Sequence, residues 1–129
     1  MRFNLMMIDL LVLRTVYSFN LTFNRPIKQR ELYDSKSGKG IVNDTIDNEA
    51  LPAIFNLRLL TGNWPLEESI QRLRDARLMN KRAPYLATTR AKSLFEIIGN
   101  EPRDWPIQLP VYDGEVLIGK ARYVPEELR

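Results

Sequence analysis

Apolar and polar side chains alternate strictly over the segment 17–24. The apolar positions are Tyr17, Phe19, Leu21 and Phe23. A period of two is typical of a half-buried strand, so we predict a strand here. The segment 2–7 alternates less well, and the run 7–12 fits a buried strand or part of a helix. We therefore expect two strands in the N-terminal part of the chain.

The apolar stretch from Leu5 to Leu13 is shorter than the roughly 20 residues that a membrane span needs. Asp9 interrupts it and Arg14 closes it, and no small-residue cleavage pattern follows, which argues against a signal peptide. We expect the stretch to form part of the core. We also predict no membrane association and, because the chain lacks cysteine, a cytoplasmic location.

The apolar pattern fades between residues 25 and 48, where Pro26 breaks the preceding strand and Ser, Gly and Lys cluster at 35–40. This composition predicts a long, mobile surface loop. Long loops in compact domains are usually functional or disordered, which makes Lys36 and Lys39 candidate partner contacts. The cluster lacks the GxxxxGK[ST] spacing of a phosphate-binding loop, so a solvated turn is the preferred interpretation.

Helical spacing begins after Gly62, where Pro65 lies in a first turn and apolar residues then recur every three or four positions. We predict a helix over 65–79 and a second helix over 89–98, which Gly99 would end. The segment 53–60 fits a strand, and a short helix remains the alternative there.

The Asp113-Gly114 pair lies between two apolar runs, which is the strongest short-range signal for a β-hairpin. Strands, two helices and a C-terminal hairpin together imply an α+β fold, with a mostly antiparallel sheet and both helices packed on one face. At 129 residues the chain has the size of one domain, 1–129, and no linker or repeat divides it.

The composition removes several kinds of chemistry, because the chain has no His and no Cys. There is no thiol nucleophile, no Cys-ligated metal and no imidazole base. Carboxylates remain, in three clusters: Asp44, Asp47 and Glu49; Glu101 and Asp104; Asp113 and Glu115. Each cluster falls in a predicted loop or turn. We therefore predict no catalytic residue, no metal and no cofactor, and a carboxylate metal enzyme is the least favoured alternative.

Charge is distributed unevenly along the chain. Residues 64–92 hold seven basic and three acidic side chains, whereas residues 93–129 hold four basic and seven acidic ones. In the predicted helix, Arg74, Arg77 and Lys81 would form one stripe. The candidate contacts are the basic residues Arg72, Arg74, Arg77, Lys81, Arg82 and Arg90 and the aromatic residues Trp64 and Tyr85. Trp105 also flanks a helix, and its simpler role is to hold a loop against the core.

A well-folded chain without obvious catalytic groups predicts a non-enzymatic binding protein, such as an inhibitor, immunity factor or assembly subunit. We expect a protein partner, engaged through the bipolar surface and the loop from Lys28 to Asp47. The alternative is a nucleic-acid-binding accessory protein that places its basic helical patch on phosphates. The sequence leaves open whether the chain forms a homo-oligomer.

Overall fold

A computed structural model describes residues 2–33, 40–41, 63–106 and 108–118 of the chain. The elements in chain order are strand β1 (Arg2–Met6), helix α1 (Met7–Phe23), short helix α2 (Gln29–Leu32), helix α3 (Asn63–Asp75), helix α4 (Thr89–Ile98), a 3-10 turn (Pro102–Asp104), and strands β2 (Gln108–Tyr112) and β3 (Glu115–Val116). The described part is thus a mixed helix and strand domain, which confirms the predicted α+β class.

The three strands form one antiparallel sheet in the order β1-β2-β3. Phe3 lies opposite Val111 and Leu5 lies opposite Leu109, so the first and last parts of the described chain meet in the centre of the sheet. Leu5, Leu109, Val111 and Val116 are buried and belong to the same apolar cluster as the inner residues of the helices. The core therefore lies on one face of the sheet.

The turn between β2 and β3 is the predicted hairpin turn. Asp113 and Gly114 both have left-handed backbone angles, with φ values of 50° and 81°. This combination is characteristic of a two-residue type I′ turn, for which Asp-Gly is a preferred pair. The strands pair Val111 with Val116 and Tyr112 with Glu115. Within the described residues the hairpin is short, because β3 contains two residues.

The predicted strand at 17–24 is wrong, because these residues belong to α1 and to the turn after it. The alternation is misleading, because Leu21 and Phe23 are 68% and 57% exposed. Two of the four alternating apolar side chains therefore face solvent. Val12, Val16 and Phe19 are buried at helical spacing and direct α1 into the core.

The apolar stretch near the N-terminus is buried, as expected. None of the helices in the described ranges is long and apolar enough to cross a membrane.

Helix α3 confirms the first predicted helix but ends at Asp75, four residues before the predicted end at 79. The N–H of Leu78 donates to the Leu73 carbonyl at 2.9 Å, and the N–H of Arg77 donates to the Arg74 carbonyl at 2.9 Å. These two bonds form a Schellman motif. Arg77 takes the left-handed position, with φ 61°, which glycine usually occupies. The sequence therefore contains no glycine that would indicate the end of α3 at this point.

Helix α4 coincides with the second predicted helix, and Gly99 follows it directly. The predicted loop over 25–48 is wrong in its first part, because Gln29–Leu32 is helical and Ile27, Leu32 and Tyr33 are buried. The rest of that prediction, at 34–39 and 42–48, lies outside the described residues, as does the segment 53–60.

A buried ion pair joins α1 to α3. The Asp9 carboxylate is completely buried, and its two oxygens accept hydrogen bonds from Arg72 Nε and Nη2, both at 2.8 Å. Ser69 Oγ donates to one of these oxygens at 2.5 Å, and the Met6 backbone N–H donates to the other at 2.9 Å. Four donors thus compensate one carboxylate that has lost its water.

We expect Arg72→Met to lower the free energy of unfolding by about 3 kcal/mol, because it leaves the Asp9 charge buried without its ionic partner. Methionine retains an apolar stem of similar length, so the loss reports the guanidinium rather than packing. Denaturant unfolding of the purified variants measures the change. Arg103→Ala removes an exposed cation and should change stability by less than about 0.5 kcal/mol. A loss below about 1 kcal/mol for Arg72→Met would contradict a stabilising role of the pair.

Candidate functional site

Two of the predicted contact residues hold the fold together. Arg72 forms the bidentate pair with Asp9, and this hydrogen bonding raises the pKa of Arg72 against the opposing effect of burial. Arg74 Nε donates to the Asn80 carbonyl at 2.9 Å, and its guanidinium lies 5.5 Å from the ring centre of Tyr85. Both side chains are thus engaged within the molecule.

The predicted stripe of Arg74, Arg77 and Lys81 is wrong, because α3 ends before Arg77. The side chain of Arg77 lies instead beside the hairpin turn, where its Nε is 2.9 Å from the position that a Cβ on Gly114 would take. Arg90 Nη1 lies 3.5 Å from the Gly114 carbonyl oxygen. Burial, and then the nearby charge of Arg77, lower the pKa of Arg90. These two cations therefore converge on the hairpin, away from any helical stripe.

Of the two predicted aromatic contacts, Trp64 and Tyr85, the structure describes the side chain of Tyr85, which is buried. Tyr85 is 5% exposed, and burial raises the pKa of its hydroxyl. Trp64 lies in the first turn of α3, and its side chain is outside the described part. Trp105 is also 5% exposed and donates from Nε1 to the Gly99 carbonyl at 2.7 Å, which fits the simpler role of holding a loop. Lys36 and Lys39 lie outside the described residues.

Lys81 and Arg82 are exposed, and they lie in a loop that joins two paired segments. Met79 pairs with Ala87, and Tyr85 pairs with Ile27, both in antiparallel bridges. The Ile27–Tyr85 pair exchanges two backbone hydrogen bonds of 2.9 and 2.8 Å. Three short segments, at 25–28, 79–81 and 85–87, thus lie side by side.

The side chains of these segments divide between two faces, as in a small sheet. Ile27, Met79 and Tyr85 point inward and are buried. The residues on either side of Ile27 and Tyr85 lie on the more exposed side, where the antiparallel register places Pro26 beside Leu86 and Lys28 beside Pro84. We call the exposed surface of these segments and of the loop between them the basic face; it consists of Arg25, Pro26, Lys28, Lys81, Arg82, Ala83, Pro84 and Leu86.

Two asparagine side chains hold the basic face in place. Asn80 Nδ2 donates to the Pro84 carbonyl at 2.9 Å, and Asn80 Oδ1 accepts from the Leu86 N–H at 3.1 Å. Asn20, from α1, donates to the Arg25 and Tyr85 carbonyls at 3.0 and 3.2 Å and accepts from the Ala87 N–H at 2.9 Å. The exposed loop is therefore anchored both from within and from the helix beneath it.

Arg25 occupies one edge of the basic face. It forms a bidentate pair with Glu31 at 2.8 and 2.7 Å, and its guanidinium lies 4.7 Å from the ring centre of Phe19 and 5.9 Å from that of Phe23. The hydrogen bonds from Arg25, followed by the one from the Lys28 N–H, lower the pKa of Glu31 to about 2. Glu31 therefore neutralises Arg25 at physiological pH.

The other cations of the basic face have no such partner. Within the described ranges, Lys28, Lys81 and Arg82 form no ion pair, and neither does Arg30 in the adjoining helix α2. All four side chains are exposed. The face thus combines positive charge with exposed apolar side chains, those of Pro84 and Leu86, the latter 43% exposed.

Acidic side chains do not gather into a metal site in the described part of the chain, where no three of them lie close together. No protein-family model matches the chain, and no curated protein or solved structure matches it significantly. The interpretation of the site therefore rests on its own geometry.

The sequence pattern identifies Lys81 and Arg82 of the basic face but not the residues that support it. Asn20 falls in the segment predicted as a strand, and Asn80 falls between the two predicted helices. The local signal is Pro84, which predicts a turn but not its supports. The pairing of Ile27 with Tyr85 joins residues far apart in the sequence, so no local pattern indicates it.

We expect Asn80→Ala to accelerate hydrogen exchange of the Leu86 amide by about tenfold, because the amide loses its acceptor and the Pro84 carbonyl loses its donor. NMR-detected exchange of the folded protein measures this change. Asn4→Ala is the matched control, since it removes an exposed side-chain hydrogen bond to Gln108 in the sheet. Equal exchange at Leu86 in all three proteins would show that Asn80 does not hold the loop.

Glu31 should titrate with a pKa of about 2, below its ordinary value of 4.5. A lowered pKa stabilises the fold at pH values above the ordinary one, and this contribution disappears as the pH falls from 4.5 towards 2. Side-chain carboxyl NMR shifts over this range report the midpoint. Arg25→Ala should move it upward, whereas Arg103→Ala should leave it in place. An unchanged midpoint in Arg25→Ala would assign the shift to another cause.

Proposed function

We propose that the protein is a non-enzymatic binding protein that engages a protein partner through the basic face. The observation that carries this proposal is a surface that is both exposed and preorganised. Lys81, Arg82, Ala83 and Pro84 are open to solvent, yet backbone pairing and two asparagine side chains hold the ends of their loop. A loop already ordered in the free protein loses less conformational entropy when it binds.

The composition of the basic face resembles that of a protein interface. Leu86 offers an exposed aliphatic side chain, and Lys28, Lys81 and Arg82 are exposed on the same face. Interfaces combine an apolar anchor with a polar rim, and arginine is enriched among the residues that dominate binding. The absence of imidazole and thiol from the whole chain also favours action by contact over catalysis.

Nucleic-acid binding is the alternative function, and it would use the same cations. Two of the six basic residues first assigned to it, Arg72 and Arg74, are engaged in internal hydrogen bonds. Arg77 and Arg90 lie against the hairpin rather than beside Lys81 and Arg82 in one helical stripe. This dispersal weakens the case for a continuous track along a phosphate backbone.

A photo-crosslinking side chain at position 83 should capture a defined polypeptide when the protein is expressed in its native cells, because Ala83 is exposed within the basic face. The same group at position 112 is the control, since Tyr112 is 56% exposed on the outer side of the sheet. Denaturing electrophoresis and mass spectrometry identify the product. Leu86→Asp should abolish it without changing the unfolding midpoint by more than a few degrees.

Two results would reject the proposal. One is the absence of any polypeptide product at position 83 while the crosslinker is demonstrably active. The other is an identical set of products at positions 83 and 112, which would indicate random collision. A nuclease-sensitive product at position 83 would favour the nucleic-acid alternative.

A further inference from the structure

We infer that the partner segment contacting the basic face is an acidic polypeptide, rich in Asp and Glu, that also covers Leu86 with apolar side chains. This inference rests on the proposed function and specifies the chemistry of its partner. It depends on the cations that form no ion pair among the described residues and on the apolar side chains that share their face.

The positive charge of the face is a consequence of how the fold distributes ion pairs. Asp9 compensates Arg72, and Glu31 compensates Arg25. Lys28, Arg30, Lys81 and Arg82 remain exposed and form no ion pair among the described residues. Two acidic groups lie nearby: Glu31, which the charge of Lys28 also affects but which is paired with Arg25, and Glu67, whose charge acts on Tyr85. A surface with such an excess attracts negative charge and repels basic partners.

The arrangement of apolar groups favours a polypeptide over a phosphate backbone. Pro26, Pro84 and Leu86 share the face with the cations, since the register places Pro26 beside Leu86 and Lys28 beside Pro84. A chain of phosphates would leave these side chains without apolar contacts. Tyr85, the aromatic residue of the paired segments, is 5% exposed and points inward, so its ring offers no stacking surface to a base. Phe23, which is exposed at the edge of the face, has the Arg25 guanidinium 5.9 Å from its ring centre. An acidic segment with aliphatic residues satisfies both parts of the surface.

The backbone anchoring fixes the course of the loop that carries the cations before a partner binds. Asn80 and Asn20 hold the carbonyl or N–H groups of Pro84, Leu86 and Ala87. The backbone positions of Lys28, Lys81 and Arg82 are therefore set by the fold before a partner binds. A segment that carries several carboxylates can meet more than one of these cations without reordering the loop.

The inference is tested with three probes of stated chemistry on the full, isotope-labelled chain. They are a synthetic peptide rich in Asp, Glu and Leu, its analogue with Asn and Gln in place of the acids, and a single-stranded oligonucleotide of similar total charge. We expect the acidic peptide to shift the amide signals of Lys28, Lys81, Arg82 and Leu86 and the neutral analogue to leave them unchanged. Binding should weaken as salt increases.

Charge-matched variants localise the effect. Lys81→Ala with Arg82→Ala should weaken binding of the acidic peptide by about tenfold. Arg2→Ala with Arg103→Ala removes the same charge from exposed positions outside the face and should leave the affinity within about twofold. Leu86→Asp should weaken binding further, because it removes apolar contact and adds repulsion.

Each other outcome rejects the inference. Tighter binding of the oligonucleotide at the same amides would assign the face to nucleic acid. No binding of the acidic peptide, shifts located away from the face, or equal losses in both double variants would remove the acidic partner. If position 83 still crosslinks to a polypeptide in those cases, the proposed function stands and only the acidic character of the partner is rejected. Peptide binding without any crosslinked polypeptide would instead reject the proposed function.

Discussion

The fold depends on the compensation of one buried charge. Asp9 interrupts an apolar stretch and is completely buried where β1 passes into α1. A carboxylate in this position is very unfavourable unless charged and hydrogen-bonding partners surround it. Arg72 and Ser69 supply them from α3. The single residue Asp9 therefore requires α3 to lie across α1. Apolar packing alone would specify the position of α3 less strictly.

The placement of α3 in turn determines what the next segment can expose. Arg72 points towards Asp9, whereas Arg74, two residues later, points towards Asn80 and Tyr85. The helix then closes with Arg77 in the left-handed conformation, and the chain enters the loop that carries Lys81 and Arg82. Internal contacts use the first two arginines, and the later cations remain at the surface. Charge counted along the sequence could not separate these two roles.

Local signals predicted the parts of the fold that local interactions determine. The hairpin at Asp113-Gly114 and the helix at 89–98 were predicted because turn chemistry, helical spacing and a glycine stop lie within a few residues. Helix α1 was missed since the same aromatic residues satisfy a period of two, and exposure of Leu21 and Phe23 decides between the periods. The end of α3 was missed because an arginine occupies the position usually held by glycine.

Lys81 and Arg82 could be named from the sequence, but the geometry of the basic face could not, because the face is assembled from distant parts of the chain. Asn20 in α1 bonds to Tyr85 and Ala87, and Ile27 pairs with Tyr85, so each support comes from an element formed elsewhere. A peptide covering 79–87 alone would lack these contacts and would sample many conformations. The geometry of the exposed cations therefore exists when the domain is folded, and any partner that requires this geometry recognises the folded state. Binding to such a partner would also stabilise the fold by mass action.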